Sequence, residues 1–584
     1  MSRTLDKNKK HITKTKLILL LFVAAVCIKR IFVDFDSDAG YAAALGYRLV
    51  LGDRMFTGMW EPHQTSAFVI AFFELIYVSL FHTTKGIVIY LNIIGCLLKS
   101  AVCIFLYNRL KMYFKKETSF ISSCIFMILS PKLLIIPEYS NLQLYSSVMM
   151  FCFIVSFLRN EKKTDLIWAS LFLFSSVAAY PSCVLLWVPA VCILFKYSKK
   201  GLMNSLILTL ICALAGGLYI LYFVAARGAA PFFESLKYIM VSDPSHSMTL
   251  LDKTEAYLYD LIGLFLAFAV IFFISKAFVF VKERSGGKVQ NPLSLTVLSC
   301  LVLTAIWALA DTLVFYTDFC FNEFLTGLLV FAMYHSVKGP DTESRLFFRI
   351  AVCISAFQLI STCILSNLSL HSSIGYMTLG FCVSAAYLMD SVSFSEDSMR
   401  WSSLFACIIL IPVIFINLFI CRSISFCYMK LTDIRGVSKT GPSYGIFSEY
   451  MGPYILDNTY REFQSYVPEG ATVLISGNYG MLDGASSMEY LDRRVNIGVK
   501  DTQTSCILDE SQALYWEVNP DKLPDVVVTV CWFGEEKESE DSWLIRWINE
   551  NYRDAGGEVH YIDGMYRRYY YSPDLWAKMQ EKMH

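Results

Sequence analysis

The sequence lacks several features that would point to common soluble functions. Its 50 basic and 50 acidic residues cancel to a formal net charge of zero, and no basic stripe interleaved with aromatic residues is present, so nothing favours nucleic-acid binding. The 18 cysteines form no CxxC pair and no His/Cys cluster with zinc-ligand spacing. Neither GxGxxG nor GxxxxGK occurs, so a nucleotide-binding loop of either kind is not supported.

Apolar residues are what the sequence has in abundance. They make up 55 % of the chain and occur in long runs, many of them near the roughly 20 residues that span a bilayer. Most cysteines lie inside these runs, where they pack as small apolar side chains. The composition predicts an α-helical polytopic membrane protein.

The positions of the basic residues predict its orientation. Residues 1–16 are strongly basic and precede an apolar run without a cleavage site, so a retained signal anchor with a cytoplasmic N-terminus is expected. The run 66–82 is interrupted by Glu74 and is expected to lie in the interface or to re-enter. With that assignment the basic loops fall on the cytoplasmic side. The prediction is a transmembrane domain over 17–421 with roughly thirteen helices in the plasma membrane.

Polar segments then gather on the outer side of the membrane. They are the first loop 34–66, residues 136–143, 180–182, 227–257, 311–323 and 366–375, and everything from residue 422. This asymmetry is expected of an enzyme at the outer leaflet, whereas a transporter would need polar groups near mid-bilayer and a repeat between its halves. No such repeat is found. Basic residues within apolar runs, such as Lys99 and Lys276, are expected to reach the interface from segment ends.

The character of the chain changes at about residue 422. Short apolar segments bounded by Gly, Pro and Asp alternate with helical patterns: strands are expected in 471–480, 493–499, 524–532 and 558–564, and a helix in 542–552. The alternation predicts an extracytoplasmic α/β domain over 422–584. We expect it to be an accessory domain that packs on the outer face or touches the acceptor, rather than a second catalytic centre.

The first loop 34–66 carries the strongest candidate for a site. Asp36 and Asp38 stand directly ahead of a helical pattern, and a helix N-terminus favours an ionised carboxylate. Such a carboxylate is a competent general base. Alternatively, the pair shares a divalent cation, since oxygen ligands suit Mg²⁺ or Mn²⁺. A third interpretation is a solvated interfacial loop whose acids merely cap the helix.

The order of these parts resembles the GT-C fold membrane glycosyltransferases, including the protein mannosyltransferase and aminoarabinose transferase group (family 39-like). Those enzymes carry an acid in the first outer loop in a pattern like D-x-x-Y, then a Gly-rich helix, then a His/Lys-Pro-type segment. The matching residues here are Asp38-Ala-Gly-Tyr41, then Gly46 and Gly52, then Glu61-Pro62-His63. The resemblance covers roughly residues 17–230.

The resemblance implies a sugar donor carried on a polyprenyl phosphate. It implies an inverting transfer to an extracytoplasmic glycan, lipid or protein, with the first-loop Asp as base. In the family a second acid often follows the next outward-going helix. Glu138 is the nearest acid at that place, and the usual Asp is missing.

Cations are needed to stabilise the charge that develops on the leaving phosphate. Seven residues are candidates for binding the donor phosphate or the rest of the substrate: Arg30, Arg54, Glu61, His63, Glu138, Arg227 and Lys237. Snorkelling explains Arg30 equally well, and an ordinary interfacial aromatic belt explains the loop around Lys237.

Two other functions remain open at this point. One is a transporter or flippase of lipid-linked saccharides. Acids at mid-helix in several spans would favour it, and here they are scarce, with Glu74 as the main exception. The other is a non-catalytic GT-C-like scaffold.

Overall fold

A computed structural model describes residues 2–33, 37–60, 63–131, 135–241, 249–286, 295–296, 299, 302–303, 319–338, 342–365, 370–391, 421–423, 427–429, 434–449, 451–477, 501–504, 509–532, 543–557, 559–560 and 565–583. Among the sequence-based expectations, Asp36, Glu61 and the strand at 493–499 lie outside these residues, as do the segment 311–318 and nearly all of the apolar run 402–421.

The N-terminal part of the described chain is helical. In chain order the helices are α1 (Ser2–Phe32), α2 (Ser37–Val50), α3 (Ala67–Phe81), α4 (Ile87–Leu110), α5 (Lys116–Ile128), α6 (Tyr139–Asn160), α7 (Lys163–Ala179), α8 (Trp187–Tyr197), α9 (Gly201–Arg227), α10 (Ala229–Val241), α11 (Leu250–Arg284), α12 (Phe319–Lys338), α13 (Glu343–Leu365), α14 (Leu370–Ser373) and α15 (Thr378–Ser391). A 3₁₀ turn, Pro181–Leu186, leads into α8, and another, Ile374–Met377, leads into α15.

Several of these helices are suited to a membrane. By length and composition, five described helical segments can cross one: Ile87–Leu110, Tyr139–Asn160, Gly201–Ala226, Leu251–Arg284 and Glu343–Ile364. Shorter apolar helices occupy Ala67–Phe81, Pro181–Tyr197 and Leu325–Val337. The prediction of a polytopic helical protein is therefore confirmed, whereas the number of roughly thirteen crossings stays a prediction. The helix Ala67–Phe81, expected not to cross, has 15 residues and is shorter than a typical span.

The helices divide into a packed bundle and an apolar periphery. One large core cluster contains residues of the five consecutive helices α4–α8 and of α13 and α15. In contrast, only 6 % of the most apolar stretch of α9, and likewise of α11, is buried inside the protein. Leucine and phenylalanine side chains such as Leu210 and Phe265 are exposed there. Such surfaces suit lipid contact.

Lys99 differs from its sequence-based expectation. It lies in the middle of α4 and is fully buried, so its side chain does not reach an interface. Its Nζ donates to the backbone oxygen of Leu129, the residue that follows the last turn of α5. The lysine thereby satisfies a carbonyl at a helix C-terminus, where a cation is favoured. Lys276 is exposed on α11.

The C-terminal part of the described chain contains the expected α/β domain. Its main sheet has the order β6-β5-β7-β10-β8, with β9 also paired to β10. The strands are β5 (Thr472–Gly477), β6 (Asp501–Thr504), β7 (Val526–Trp532), β8 (Arg553–Gly556), β9 (Val559–His560) and β10 (Met565–Tyr571). β5 is parallel to β6 and β7, and β10 is antiparallel to β7, β8 and β9. The helices Met451–Tyr466, Asp509–Val518, Trp543–Asn551 and Pro573–Met583 accompany the sheet.

Ahead of this sheet, short strands form two further pairs. β1 (Cys421–Ser423) pairs with β2 (Cys427–Met429), and β3 (Ile434–Val437) pairs with β4 (Phe447–Glu449). The turn between β3 and β4 packs on the helical bundle: Ile446 is fully buried in a cluster formed with residues of α2, α3 and α4. The backbone N–H of Gly86 donates to Gly441, and that of Val88 donates to Pro442. The domain is thus attached to the bundle beside α2.

Candidate active site around the first loop

Helix α2 begins the described part of the first loop. Asp38, the proposed base, is the second residue of this helix; its side chain lies outside the described part of the structure. Small residues allow α2 to approach α3 closely: a Cβ placed on Gly46 would lie 2.5 Å from an Oε of Glu74 and 2.6 Å from Ile70. Next to Gly46, burial and the Glu74 carboxylate raise the pKa of the Tyr47 hydroxyl.

Glu74 itself is fully buried between these helices. Within the described part of the chain, neither carboxylate oxygen has a hydrogen-bond partner. A carboxyl group in this position costs free energy, and in a membrane protein it commonly marks a function.

Beyond α2, Asp53 is held between two cations. Its Oδ2 accepts from Nε of Arg48 at 2.6 Å, and its Oδ1 accepts from Nζ of Lys522 in the C-terminal domain. The Asp53 and Arg48 side chains are only 4 % and 2 % exposed. Arg48 also donates to the backbone oxygen of Gly58 at 2.6 Å. This acid therefore serves as a structural link.

The C-terminal domain adds three more contacts to the same stretch. The Tyr515 hydroxyl donates to the Gly58 oxygen at 2.8 Å, and the Asn519 side chain donates to the Thr57 oxygen at 3.0 Å. Trp60 is buried in the domain's own apolar cluster, with its ring edge-on to Tyr515 at 5.4 Å. The first loop and the domain therefore share one core.

His63 follows in a three-ring stack. Its ring lies 3.9 Å from that of Tyr139, with an interplanar angle of 6°, and 5.3 Å from that of Tyr180, at 10°. Its backbone has a φ of 58°, a left-handed conformation that is uncommon for any residue except glycine. Backbone strain of this kind is frequent at ligand sites. The stack joins three polar segments that were predicted to lie on the outer side.

Glu138 stands next to this stack at the start of α6. Fully buried, it accepts from the backbone N–H groups of Ser140 at 2.7 Å and Asn141 at 2.8 Å. This is a helix N-cap, a structural role that accounts for the acid at this position. Two residues on, Ser140 accepts a hydrogen bond of 2.8 Å from Tyr376, which ties α6 to the turn before α15.

Arg30 lies at the end of α1 and is largely buried. It interacts electrostatically with Tyr145 of α6 and with Lys99, and Tyr145 in turn interacts with Glu138. A buried cation, Arg30, therefore lies within electrostatic range of the first two turns of α6, the helix whose first residue, Tyr139, stacks on His63. A buried positive region of this kind suits an anionic group.

The other candidates are spread more widely. Arg54, within the stretch 53–60, is exposed, and Lys237 is exposed on α10. Arg227 is the last residue of α9, and its side chain lies outside the described part of the structure. α10 does contact the first loop, because Phe56 packs edge-on against Phe232 at 5.2 Å. Of the candidate cations, His63 stacks on Tyr139 at the start of α6, and Arg30 interacts with Tyr145 further along the same helix.

The structure also contains residues that the sequence-based search missed. Arg48, Asn519 and Lys522 hold the first loop, but Lys522 and Asp53 are 469 residues apart and carry no motif that links them. Within the described residues, no group of three or more His, Cys, Asp or Glu side chains is arranged to hold a metal ion. The Mg²⁺ or Mn²⁺ expectation rests on Asp36 and Asp38 and stays a prediction.

The fold and the site define a helical membrane protein with a C-terminal α/β domain joined to a polar first loop. No family model and no curated protein matches the chain. Solved structures similar to it include the following three. The oligosaccharyltransferase of Archaeoglobus fulgidus, tethered with an acceptor peptide containing the NVT sequon, has a TM-score of 0.45 and 12 % identity, over 95 % of this chain and 74 % of that one.

The second is the archaeal oligosaccharyltransferase AglB of the same organism, in complex with an inhibitory peptide and a dolichol-phosphate. Its TM-score is 0.45 at 10 % identity, over 90 % of this chain and 70 % of that one. The third, apo ArnT from Cupriavidus metallidurans, has a TM-score of 0.42 at 11 % identity, over 95 % and 97 % of the two chains. These three proteins belong to the class that the sequence resembles, the GT-C membrane glycosyltransferases.

Proposed function

We propose that this protein is a membrane glycosyltransferase that moves a sugar from a polyprenyl-phosphate-linked donor to an extracytoplasmic glycan, lipid or protein. One observation carries the proposal: polar segments that are distant in the sequence converge on the first loop. His63 stacks on Tyr139 and Tyr180, and Asp53 pairs with Lys522. In this proposal the loop faces the outer side, the N-terminus is cytoplasmic and the C-terminal domain is extracytoplasmic.

The chemistry needs one base and a set of cations. An acceptor hydroxyl oxygen attacks the anomeric carbon, and the bond from that carbon to the donor phosphate breaks with inversion. Asp38 removes the hydroxyl proton, and Asp36, two residues earlier in the sequence, is the second candidate acid. The α2 N-terminus favours an ionised carboxylate at this position. The phosphate departs as an anion, so a general acid of the glycosidase type is unnecessary.

We assign the leaving phosphate to the positive region around Arg30 and His63. The buried charge of Arg30, which interacts with Tyr145 of α6, favours an anion in this region. Arg54, Arg227 and Lys237 are candidates for further phosphate contacts, and Glu61 and Glu138 for substrate contacts or for orienting neighbouring groups. The prenyl chain is expected along the apolar outer faces of α9 and α10, where Phe233 is exposed.

The decisive test is an assay of the purified protein in lipid nanodiscs with radiolabelled polyprenyl-phosphate sugars. We expect label in the acceptor and release of free polyprenyl phosphate. Parallel reactions with EDTA decide the metal question: unchanged transfer indicates a base mechanism, and transfer restored by Mg²⁺ or Mn²⁺ indicates a cation at Asp36 and Asp38. Absence of transfer with every donor, in correctly folded protein, would overturn the proposal.

A transporter of lipid-linked saccharides is the second candidate, and Glu74 is the observation that favours it. This buried carboxyl, without a hydrogen-bond partner in the described residues, is the kind of group that transporters use. Movement of an intact labelled lipid-linked saccharide across a proteoliposome membrane, lost in Glu74→Gln, would support this candidate instead.

A further inference from the structure

We propose that Lys522 is a positioning residue: through Asp53, the C-terminal domain holds the first loop in the geometry that sugar transfer needs. The inference rests on the proposed function and deepens it. It concerns a residue outside the helical bundle, in a domain expected from the sequence to be merely accessory. The evidence lies in the contacts between residues 53–60 and the segment 515–522.

The first step concerns charge. Asp53 is nearly inaccessible to water, and Lys522, 17 % exposed, supplies one of its two cations. Arg48, the other cation, belongs to α2. Removing one partner from a buried ionic group destabilises the arrangement, because the remaining charge loses its compensation. The position of Asp53 therefore depends on the C-terminal domain.

The second step concerns the backbone of the loop. Thr57 and Gly58 use their carbonyl oxygens to accept from Asn519 and Tyr515. Trp60 supplies its ring to the domain core. The two hydrogen bonds and the Lys522 ion pair originate within eight residues of one another, on the helix Asp509–Val518 and the turn that follows it. The loop stretch is consequently held along its length by a single surface.

The third step connects this surface to the reaction. Arg48 donates to both Asp53 and the Gly58 oxygen, and it lies on the same helix as Asp38. A shift of Asp53 therefore affects its partner Arg48, which lies in the last turn of α2. The proposed base, Asp38, lies in the first turn of the same helix. At the C-terminal end of the loop, residues 53–60 are followed closely in the sequence by His63. Small displacements at these two points are enough to slow a transfer reaction.

The test compares Lys522→Met and Lys522→Arg in the full-length protein, with Lys578→Met as the matched control. Lys578 lies exposed on the helix Pro573–Met583, on the same domain. Two quantities are measured: deuterium exchange of the loop peptides covering residues 53–60, and the rate of sugar transfer. The exchange measurement does not need enzymatic activity.

We expect Lys522→Met to increase loop exchange about tenfold and to lower the transfer rate by a similar factor, because a buried charge loses its partner. Lys522→Arg should restore both within about threefold, since it keeps the charge. Lys578→Met should change neither. In combination with Asp53→Asn, the effect of Lys522→Met should be much smaller than in wild type, as expected for two residues that act as a pair.

Unchanged loop exchange in Lys522→Met would overturn the inference. So would a loss of transfer that Lys522→Arg fails to restore while the loop stays protected. Failure of the proposed function looks different: the wild-type protein would transfer no sugar, while the exchange data would still show whether Lys522 holds the loop.

Discussion

The two ends of the first loop are held in different ways. At one end, α2 packs through small and apolar residues against α3 and against the β3–β4 turn, and Gly46 lies against Glu74. At the other end, residues 53–60 are held by ions and hydrogen bonds from a domain more than 450 residues further along the chain. The comparison teaches that the loop is a shared element of the bundle and the domain: Asp53 links the two, whereas Asp38 is the proposed base.

The largest expected effect is on the transfer rate, and it comes from Asp38, the acid to which we assign the chemistry. Replacing Asp38 with Asn removes the proposed base and should lower the transfer rate by roughly 10²- to 10⁴-fold with normal expression. The measurement is a steady-state rate with a radiolabelled donor. Asp574→Asn, at an exposed acid of the C-terminal domain, is the control and should be silent. Full transfer by the Asp38 variant would instead favour a scaffold role for this end of the loop.

At the other end of the loop, variants of His63 test whether its imidazole contacts the donor phosphate or acts only through packing. His63→Phe keeps an aromatic ring for the stack but loses the nitrogen atoms, whereas His63→Asn suits the left-handed backbone and loses the stack. If the imidazole contacts the phosphate, the Phe variant should lose about 1.5–3 kcal/mol of donor interaction, seen as a KM rise of roughly 10- to 100-fold. Unaltered kinetics in the Phe variant, with a lower melting temperature in the Asn variant, would show that His63 acts only through packing.

Gly46 tests the local packing of α2. Gly46→Ala would bring a Cβ within 2.6 Å of both Glu74 and Ile70, so the helices must move apart. We expect a loss of about 1–3 kcal/mol, visible as a lower thermal unfolding temperature. Gly216→Ala is the matched control, because a Cβ at that position on α9 meets no atom within 4 Å. Equal stability of the two variants would contradict the close contact of α2 and α3.

The smallest expected effect concerns the domain that holds the loop. Burial raises the pKa of Tyr552 above its ordinary value of 10.0, and its hydroxyl donates to the Pro524 oxygen at 2.6 Å. Above pH 10 the unfolded chain loses this proton while the folded domain keeps it. The unfolded state then binds fewer protons, so stability falls as pH rises.

Tyr552→Phe removes this contribution. Thermal unfolding followed by tryptophan fluorescence should therefore show a shallower alkaline decline for the variant, even though it loses about 1 kcal/mol near neutral pH with the hydrogen bond. Parallel pH profiles for the two proteins would contradict the assignment to Tyr552.

The sequence predicts the features that depend on local pattern. Apolar runs identify helices such as α4 and α6, the alternation after residue 422 identifies β5 and β7, and the first loop is identified from its acids. Sequence patterns do not reveal contacts between distant segments. Lys522, Tyr515 and Tyr376 carry no local signal, because their partners are far away in the chain. These partners are Asp53, the Gly58 oxygen and Ser140.

Buried polar groups are the second limit on sequence-based prediction. Lys99 was expected at an interface, but it is buried because a carbonyl at the end of α5 requires a donor there. Glu138 was found as an acid in a family-like position, and in the structure it also caps a helix. In both cases the need comes from backbone atoms, which a pattern of side chains does not display.

The central claim is that the donor phosphate lies at the first loop, and photo-crosslinking tests it most directly. A polyprenyl phosphate with a photoreactive group on its first isoprene unit is irradiated with the full-length protein in nanodiscs, and the labelled peptides are mapped by mass spectrometry. We predict labelling within residues 24–33, 37–66 or 135–147, competed by unlabelled polyprenyl phosphate and only weakly by polyprenol. Labelling confined to the outer face of α11, competed equally by the two lipids, would contradict the account.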